Sequence, residues 1–227
     1  MQEFEESKPN PGIGFGNIYA YDIPRYSYSR SAKKYSAYLA SKRACDLVLS
    51  FCALVVFSPL MLIISILIKA TSRGPVIFSQ ERLGLYGKSF NIYKFRSMRL
   101  DAEKNGPKWA DKDDNRVTPV GRLLRKLHLD ELPQVVNILR GEMSLVGPRP
   151  EREYFYNKFE SYIPDFRVRL SVKPGLTGWA QINGGYDIGP AKKLRYDKEY
   201  ISKCSIKMDL LVLFKTVNIV FRCSGAR

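Results

Sequence analysis

An uncharged stretch of 22 residues, Leu47 to Ile68, constrains this chain more than any other feature. At about 1.5 Å per residue, a helix of that length would cross the roughly 30 Å hydrocarbon core of a bilayer. Ser58 and Pro59 lie in the middle of the stretch. A proline in a helix interior removes a backbone hydrogen bond and clashes with the preceding turn, which costs about 3 kcal/mol. Each half alone is too short to cross.

Basic residues flank the stretch equally on both sides. Those before it are Lys33, Lys34, Lys42 and Arg43, and those after it are Lys69, Arg73, Arg82 and Lys88. This balance gives the positive-inside rule no direction, unless both ends of the stretch stay on the cytoplasmic side. The pattern favours a re-entrant helix bent at Ser58 and Pro59 over a spanning one, with the Ser58 hydroxyl as partner for a carbonyl that the proline frees.

The overall charge indicates an anionic partner. Lys and Arg number 37 against 22 Asp and Glu, a formal charge of +15. Such an excess suits nucleic acid, anionic lipid or a phosphorylated substrate, and composition alone does not choose among them. The four cysteines have no metal-type spacing and the chain has one histidine, His128. We therefore expect a reduced, cytosol-facing protein without a histidine-rich metal site.

The chain divides into three parts on these patterns. Residues 1–35 are polar and rich in Pro, Gly, Ser and Tyr, which predicts a flexible extension. Residues 36–70 hold the membrane helix, and residues 71–227 form the remaining domain. Within that domain, Val76–Phe78 and Phe90–Tyr93 predict a hairpin. Lys94 and Arg96 would share one face of its second strand, for which a solvated surface is the simplest interpretation.

The adjacent acids Asp130 and Glu131 are the main candidates for reactive residues in the sequence. Pro133 follows them, and a helical apolar pattern begins directly afterwards. Since proline is tolerated in the first turn of a helix, the acids lie at a helix N-terminus, where anions are stabilised. Arg125 precedes the pair and Arg149 follows it in a Gly-Pro-Arg-Pro turn. The acids are either a helix cap or a reaction centre.

Two later segments are amphipathic. Aromatic residues between 154 and 166 predict either a core helix or a helix in the membrane interface. Residues 210–221 are apolar but too short to span, which is typical of a core or interfacial helix. The glycine-rich run 173–185 predicts backbone that turns sharply or approaches another segment closely.

Five motifs, in order, resemble those of the bacterial sugar transferases, the monotopic phosphoglycosyl transferases that begin glycan assembly on a polyprenol phosphate. They are Lys94-Phe95-Arg96-Ser97-Met98, Arg116 and Thr118 ahead of Gly121-Arg122, Leu129-Asp130-Glu131-Leu132-Pro133-Gln134, Gly147-Pro148-Arg149-Pro150, and Lys173-Pro174-Gly175-Leu176-Thr177-Gly178-Trp179-Ala180-Gln181. The resemblance runs from about Lys42 to Phe221. His128 stands where many members of that family carry Ser or Thr.

The resemblance implies an α+β fold, mostly helical with a small antiparallel sheet. It also implies one re-entrant helix bent at Ser58 and Pro59, together with interfacial amphipathic helices. The chain would be the catalytic unit with a short extension, at the cytoplasmic face of a bacterial inner membrane. Its partners would be a UDP-sugar, polyprenol phosphate and the phospholipid membrane, with no nucleic acid, and a homodimer is left open.

By the same resemblance, Asp130 is the nucleophile that attacks the β-phosphorus of the UDP-sugar and expels UMP. Polyprenol phosphate then takes the phosphosugar from the aspartyl intermediate, the first step of a surface glycan. Glu131 would be the ligand of a Mg²⁺ cofactor. The residues expected to bind phosphate or substrate are Arg125, Arg149, Lys94, Arg96 and, within the loop 175–185, Gln181.

Two other functions fit parts of the sequence. A membrane-surface scaffold without catalysis would keep the apolar anchor but need no nucleophile. A nucleic-acid-binding protein would suit the charge of +15 and the 12 Phe, 14 Tyr and 2 Trp, and would bind with a steep salt dependence. The long uncharged stretch has no role in such a protein, so the sequence favours the transferase.

Overall fold

The computed structural model describes residues 32–104, 106, 114–184 and 188–221. The helices are α1 (Ala32–Thr71), α2 (Pro119–Lys126), α3 (Gln134–Arg140), α4 (Glu153–Glu160), α5 (Trp179–Gly184), α6 (Pro190–Lys203) and α7 (Ile206–Phe221). The strands are β1 (Ile77–Leu83), β2 (Ser89–Phe95), β3 (Ser144–Val146) and β4 (Gly175–Thr177). Short 3-10 helices cover Leu85–Gly87, Leu129–Glu131 and Phe166–Ser171. The predicted class, mostly helical with a small antiparallel sheet, is confirmed. The extension predicted for residues 1–35 lies almost wholly outside the described residues.

The helix α1 contains the uncharged stretch and passes through Pro59. Pro59 has no N–H to donate to the carbonyl of Val55, four residues earlier. The hydroxyl of Ser58 donates to that carbonyl at 2.9 Å instead. The partner that the sequence predicts for the freed carbonyl is therefore present. In length and apolarity α1 suffices to cross a membrane; the predicted bend and re-entrant course remain predictions.

Both ends of α1 contact the rest of the protein. Near its start, the Asp46 carboxylate accepts hydrogen bonds from the Ser144 hydroxyl at 3.1 Å and the Leu145 N–H at 2.9 Å. Near its end, Ile64 and Ile68 are buried against α2 and β2. The large apolar side chains between these contacts are mostly exposed; they include Phe51, Val55, Val56, Phe57, Leu62 and Ile63. A surface of this kind needs an apolar environment.

The predicted hairpin is present and longer than expected. Strands β1 and β2 are antiparallel over seven residues each, with Ile77 opposite Phe95 and Leu83 opposite Ser89. Lys94 lies opposite Phe78 in this register. Ile92 and Phe95 are buried, and α3 contacts β2. The hairpin thus brings Lys94 towards the segment that holds the acid pair.

A second, parallel pair of strands was not predicted. β3 lies beside β4, with Ser144 opposite Gly175 and Val146 opposite Thr177. A Cβ on Gly147 would lie 2.3 Å from the Lys173 carbonyl oxygen, and a Cβ on Gly175 would lie 2.1 Å from the Gly147 nitrogen. Only glycine allows backbones to approach this closely. The prediction of a close approach in the run 173–185 is confirmed at Gly175.

The main core explains the segment 154–166. Phe155, Tyr156 and Phe159 of α4 are buried together with Phe166, whereas Tyr154 is half exposed. Of the two interpretations of this segment, the core helix therefore applies to its buried face. The exposed face of α7 is mostly apolar, with Leu210, Leu211, Phe214 and Val217 beside Lys207 and Asn218. That face suits the expected interfacial helix.

Candidate active site

The acid pair lies in the 3-10 helix Leu129–Glu131, between α2 and α3. His128, in the left-handed conformation with φ 56°, separates this turn from α2. Pro133 directly precedes α3 and makes no side-chain cap. Asp130 is buried, with 8% of its surface exposed. In the part of the chain that the structure describes, no hydrogen bond to the Asp130 carboxylate is found, so a helix cap does not explain this residue.

Glu131 is held by two cations. The Lys94 ammonium donates to Oε1 at 2.7 Å. The Arg149 guanidinium donates through Nη1 to Oε2 at 3.2 Å and through Nη2 to Oε1. About a tenth of the Glu131 side chain is exposed. We call Lys94, Asp130, Glu131 and Arg149 the acid-pair cluster.

The pKa values of the two acids are shifted in opposite directions. Burial would raise the pKa of Glu131, but Arg149 and Lys94 outweigh it and hold the pKa well below its ordinary value. For Asp130, burial raises the pKa and the neighbouring Glu131 adds to the effect, against Lys94, Arg149 and Arg125. Two adjacent acids in different environments can take different roles. Glu131 is an ion-paired carboxylate, and Asp130 is a carboxyl group without a hydrogen-bonded partner among the described residues.

Of the residues predicted for the site, the structure brings together Asp130, Glu131, Lys94 and Arg149. Arg125 makes no hydrogen bond that the structure describes, but it lies close enough to Asp130 to influence its pKa. The hydrogen bonds of Arg96 lie outside the acid-pair cluster: its Nη2 donates to the Ser72 carbonyl at 3.0 Å and to the Ser72 hydroxyl at 2.7 Å. Arg96 therefore fixes the chain where α1 ends. A role of Arg96 in binding phosphate stays a prediction.

The side-chain hydrogen bond that the structure describes for Gln181 is also made outside the acid-pair cluster. The Gln181 Nε2 donates to the Leu176 carbonyl at 3.0 Å, and its Oε1 is buried with no hydrogen-bond partner in the described part of the chain. A Cβ on Gly178 would lie 2.6 Å from that Oε1 and 2.2 Å from the Gly147 carbonyl oxygen. These contacts join the Gly-Pro-Arg-Pro motif to the segment 175–181. A role of Gln181 in binding substrate stays a prediction.

Motif residues near α2 also pack through glycine. A Cβ on Gly121 would lie 1.9 Å from the Ser97 carbonyl oxygen. Thr118 caps α2, because its hydroxyl accepts from the Gly121 N–H at 2.9 Å. The motif 94–98 and the motif 116–122 therefore hold α2, and with it Arg125, near the end of β2.

A second group of buried charges was missed by the sequence analysis. We call it the support cluster, and its members are Arg82, Glu151, Arg169, Lys193 and Asp197. Glu151 accepts from Lys193 at 2.7 Å and from Arg82 at 3.2 Å, and Asp197 accepts from Arg169 Nε at 2.6 Å. Charged residues are ordinarily expected at the surface. The one sequence signal is the i, i+4 spacing of Lys193 and Asp197, which is common on exposed helices.

The oxygen atoms of Asp130 and Glu131 are the candidate ligands for the Mg²⁺ that the resemblance implies. Among the described residues there is no group of three or more His, Cys, Asp and Glu side chains placed to hold a metal ion. Mg²⁺ usually keeps several waters and is bound by one or two carboxylates plus substrate phosphates. A carboxylate offers about four lone-pair sites. Within the described ranges, Glu131 uses three of its sites and Asp130 uses none. The acid pair therefore fits a metal ion that also binds a diphosphate.

Comparison with known proteins agrees with this chemistry. The family model described as bacterial sugar transferase matches residues 37–223. The UDP-N-acetylgalactosamine-undecaprenyl-phosphate N-acetylgalactosaminephosphotransferase of Aeromonas hydrophila is 45% identical over 193 residues, which cover 84% of this chain and 46% of the relative. The UDP-glucose:undecaprenyl-phosphate glucose-1-phosphate transferase of Escherichia coli (strain K12) is 42% identical over 181 residues, 78% of this chain and 39% of the relative.

A shorter relative matches along most of its length. The exopolysaccharide production protein ExoY of Sinorhizobium fredii is 38% identical over 201 residues, which cover 82% of this chain and 88% of the relative. The chain thus spans less than half the length of the first two relatives and most of the third. The first two relatives are named for different sugars, so similarity at this level does not determine which sugar this chain uses.

Proposed function

The chain belongs to the bacterial sugar transferase family, and from that premise we propose that it transfers a sugar 1-phosphate from a UDP-sugar to a polyprenol phosphate. UMP is released, and the reaction passes through an aspartyl phosphosugar on Asp130. The observation that carries this proposal is the contrast within the acid pair. Glu131 is held by Lys94 and Arg149, while the adjacent, buried Asp130 has no hydrogen-bonded partner in the part of the chain that the structure describes.

The first step forms a bond between an Asp130 carboxylate oxygen and the β-phosphorus. The bond from that phosphorus to the bridging oxygen breaks, and UMP leaves with the electron pair. In the second step an oxygen of polyprenol phosphate attacks the same phosphorus and the carboxylate leaves. A carboxylate is a good leaving group, so one difficult transfer becomes two easier ones.

Negative charge is the main obstacle, since an anionic nucleophile meets an anionic diphosphate. Lys94 and Arg149 place two positive charges beside Asp130, and Arg125 adds a third. Such preorganised charges stabilise the transition state of phosphoryl transfer. Arginine suits the planar, two-point recognition of phosphate. The chemistry that a bound Mg²⁺ supplies here is neutralisation of the diphosphate, with Glu131 as its protein ligand.

We further propose that α1 is re-entrant and that the site faces the cytoplasm at a bacterial inner membrane. Support comes from the two anchored ends of α1: Asp46 and Ile68 contact the same domain, while most large apolar residues between them are exposed. With both ends fixed to one body, the stretch enters and leaves the bilayer on one side. The exposed apolar face of α7 would lie in the same interface.

Two measurements test these proposals. UMP release from a panel of UDP-sugars, with polyprenol phosphate in vesicles or nanodiscs, tests the reaction, and no UMP from any sugar would contradict it. Reporters at residues 30 and 80 test the topology. We expect both to report the cytoplasmic side, and opposite sides would exclude the re-entrant course.

A further inference from the structure

Arg169 is fully buried in the 3-10 helix Phe166–Ser171, with 1% of its surface exposed. Its Nε donates to the Asp197 carboxylate at 2.6 Å, and its Nη2 donates to the backbone carbonyl of Arg149 at 2.8 Å. One rigid guanidinium therefore connects α6 to the residue whose side chain holds Glu131.

A buried ion pair is a weak reason for stability, because apolar side chains of similar volume often serve as well. Apolar side chains could not donate a hydrogen bond to the Arg149 carbonyl. A contribution to packing alone thus leaves this feature of Arg169 unexplained.

The Gly-Pro-Arg-Pro turn has a particular need for outside donors. Pro148 and Pro150 have no N–H, so this segment cannot be held by a regular ladder of backbone bonds. Its carbonyls accept from other segments instead. The carbonyls of Pro148, Arg149, Pro150 and Glu151 accept, respectively, from Gly175 N–H at 2.9 Å, Arg169 Nη2 at 2.8 Å, Arg82 Nη1 at 3.2 Å and Leu83 N–H at 3.1 Å.

We propose that Arg169, anchored by Asp197, is a positioning residue that fixes the backbone of Arg149 and thereby sets the Arg149 guanidinium on Glu131. The inference rests on the proposed function, because it concerns the geometry of that reaction centre. Side chains that orient others at a site commonly change activity by about 10- to 100-fold when altered. The support cluster thus acts on the acid-pair cluster through one backbone segment.

The test variant is Arg169→Lys. A lysine keeps the charge opposite Asp197, but it lacks the forked donors that reach both Asp197 and the Arg149 carbonyl. We expect kcat/KM for UMP release to fall about tenfold, with a rise in KM for the UDP-sugar, because Arg149 is loosened. Partial unfolding would instead lower the rate without changing KM.

Arg167→Lys is the matched control, two residues earlier in the same 3-10 helix. Arg167 pairs with Glu160, whose side chain is 37% exposed, and it also bonds the side chain of Asn157. The Arg167 side chain is only 11% exposed, but lysine keeps the charge opposite the partly exposed Glu160, in a pair that contributes little. We therefore expect this variant to stay within about twofold of wild type.

A double-mutant cycle with Arg149→Lys then separates positioning from stability. If Arg169 acts through Arg149, Arg169→Lys costs less than about twofold once Arg149 is already changed. An equal loss in both backgrounds, an unchanged KM, or wild-type kinetics in Arg169→Lys would overturn the positioning role. Should Arg169→Lys fail to fold, Asp197→Glu, which keeps both charges but moves the carboxylate, is measured in the same way. Absence of UMP release by the wild type and the control would instead contradict the proposed function.

Discussion

Two glutamates of this protein, Glu151 buried and Glu131 nearly so, are held in nearly the same way, and the buried aspartate beside Glu131 is not. Glu131 pairs with Lys94 and Arg149, and Glu151 pairs with Lys193 and Arg82. Burial would raise the pKa of Glu151, yet Lys193 and Arg82 hold it at about 2. Among the residues that the structure describes, Asp130 has no such partner, and burial raises its pKa. Within the acid pair, Glu131 resembles a structural carboxylate and Asp130 does not.

The comparison also shows why burial alone does not identify a reactive group. Asp197 is more deeply buried than Asp130, but it accepts a hydrogen bond from Arg169. Ion pairs with a structural role perturb pKa values as active sites do. What distinguishes Asp130 is a carboxylate left without a hydrogen-bonded partner among the described residues, next to positive charge.

The largest expected difference in activity is between Asp→Asn substitutions at two of the buried aspartates, Asp130 and Asp197. Asp130→Asn should abolish UMP release, by at least roughly a thousandfold, because an amide cannot form the acyl phosphate. Its melting temperature should not fall. The raised pKa of Asp130 means that its contribution to stability is complete only below about pH 3.8 and is lost as the pH rises.

Asp197→Asn should mainly lower stability, with a smaller loss of UMP release because Asp197 anchors Arg169. It leaves Arg169 buried without its counter-charge, which typically costs about 3–5 kcal/mol of unfolding free energy. Thermal and chemical denaturation in detergent, beside UMP release, compare the two variants. An active Asp130→Asn protein, or an Asp197→Asn protein as stable as wild type, would break the comparison.

Glu151→Gln should destabilise the protein in a pH-dependent way. The pKa of Glu151 falls from 4.5 to about 2 on folding, so its contribution is present above the unfolded pKa and is lost as the pH falls through the folded one. We expect a cost of about 3 kcal/mol at pH 7 that shrinks between pH 4.5 and pH 2. Denaturation at pH 7 and at pH 3.5 measures it, and a cost independent of pH would contradict the paired state of Glu151.

Glu131→Gln should lower activity by about 10- to 100-fold and weaken its dependence on Mg²⁺. The amide keeps polar contacts to Lys94 or Arg149 but loses the charge that a metal ion needs. UMP release titrated with Mg²⁺ provides the measurement. If the titration curve were the same as that of wild type, Glu131 would be a structural carboxylate like Glu151.

The smallest expected effect concerns stability and compares two neutral hydroxyl groups of α1, those of Ser58 and Ser65. Ser58→Ala leaves the Val55 carbonyl without a partner in an apolar environment, at a cost of about 1 kcal/mol. Ser65→Ala is the control, since the Ser65 hydroxyl bonds the Met61 carbonyl within regular helix. Melting temperatures in nanodiscs should therefore fall more for Ser58→Ala, and equal values would remove the role given to the Ser58 hydroxyl.

The sequence predicted elements that have a local signal. The long apolar helix and the hairpin follow from apolar length and turn residues. The strands β3 and β4 have three residues each and lie about thirty residues apart, which is too short for any period to appear. Their pairing depends on glycines whose close contacts arise only in three dimensions.

The sequence predicted the acid-pair cluster of the candidate site but not the charged residues that support it. Motif spacing brought Asp130, Glu131, Lys94 and Arg149 into one hypothesis, and the structure places them together. Alternation along β2 put Arg96 beside Lys94, but the strand ends at Phe95, and Arg96 turns to Ser72. The support cluster could not be predicted, because its charges become buried only when β1, α6 and the 3-10 helix Phe166–Ser171 meet.

The most direct test of the account is mass spectrometry of the protein quenched in acid after mixing with a UDP-sugar and Mg²⁺ in the absence of polyprenol phosphate. We expect an added mass of one sugar phosphate that maps to Asp130, disappears when polyprenol phosphate is supplied, and is absent from Asp130→Asn. UMP release by a protein that carries no adduct, or an adduct on another residue, would contradict it.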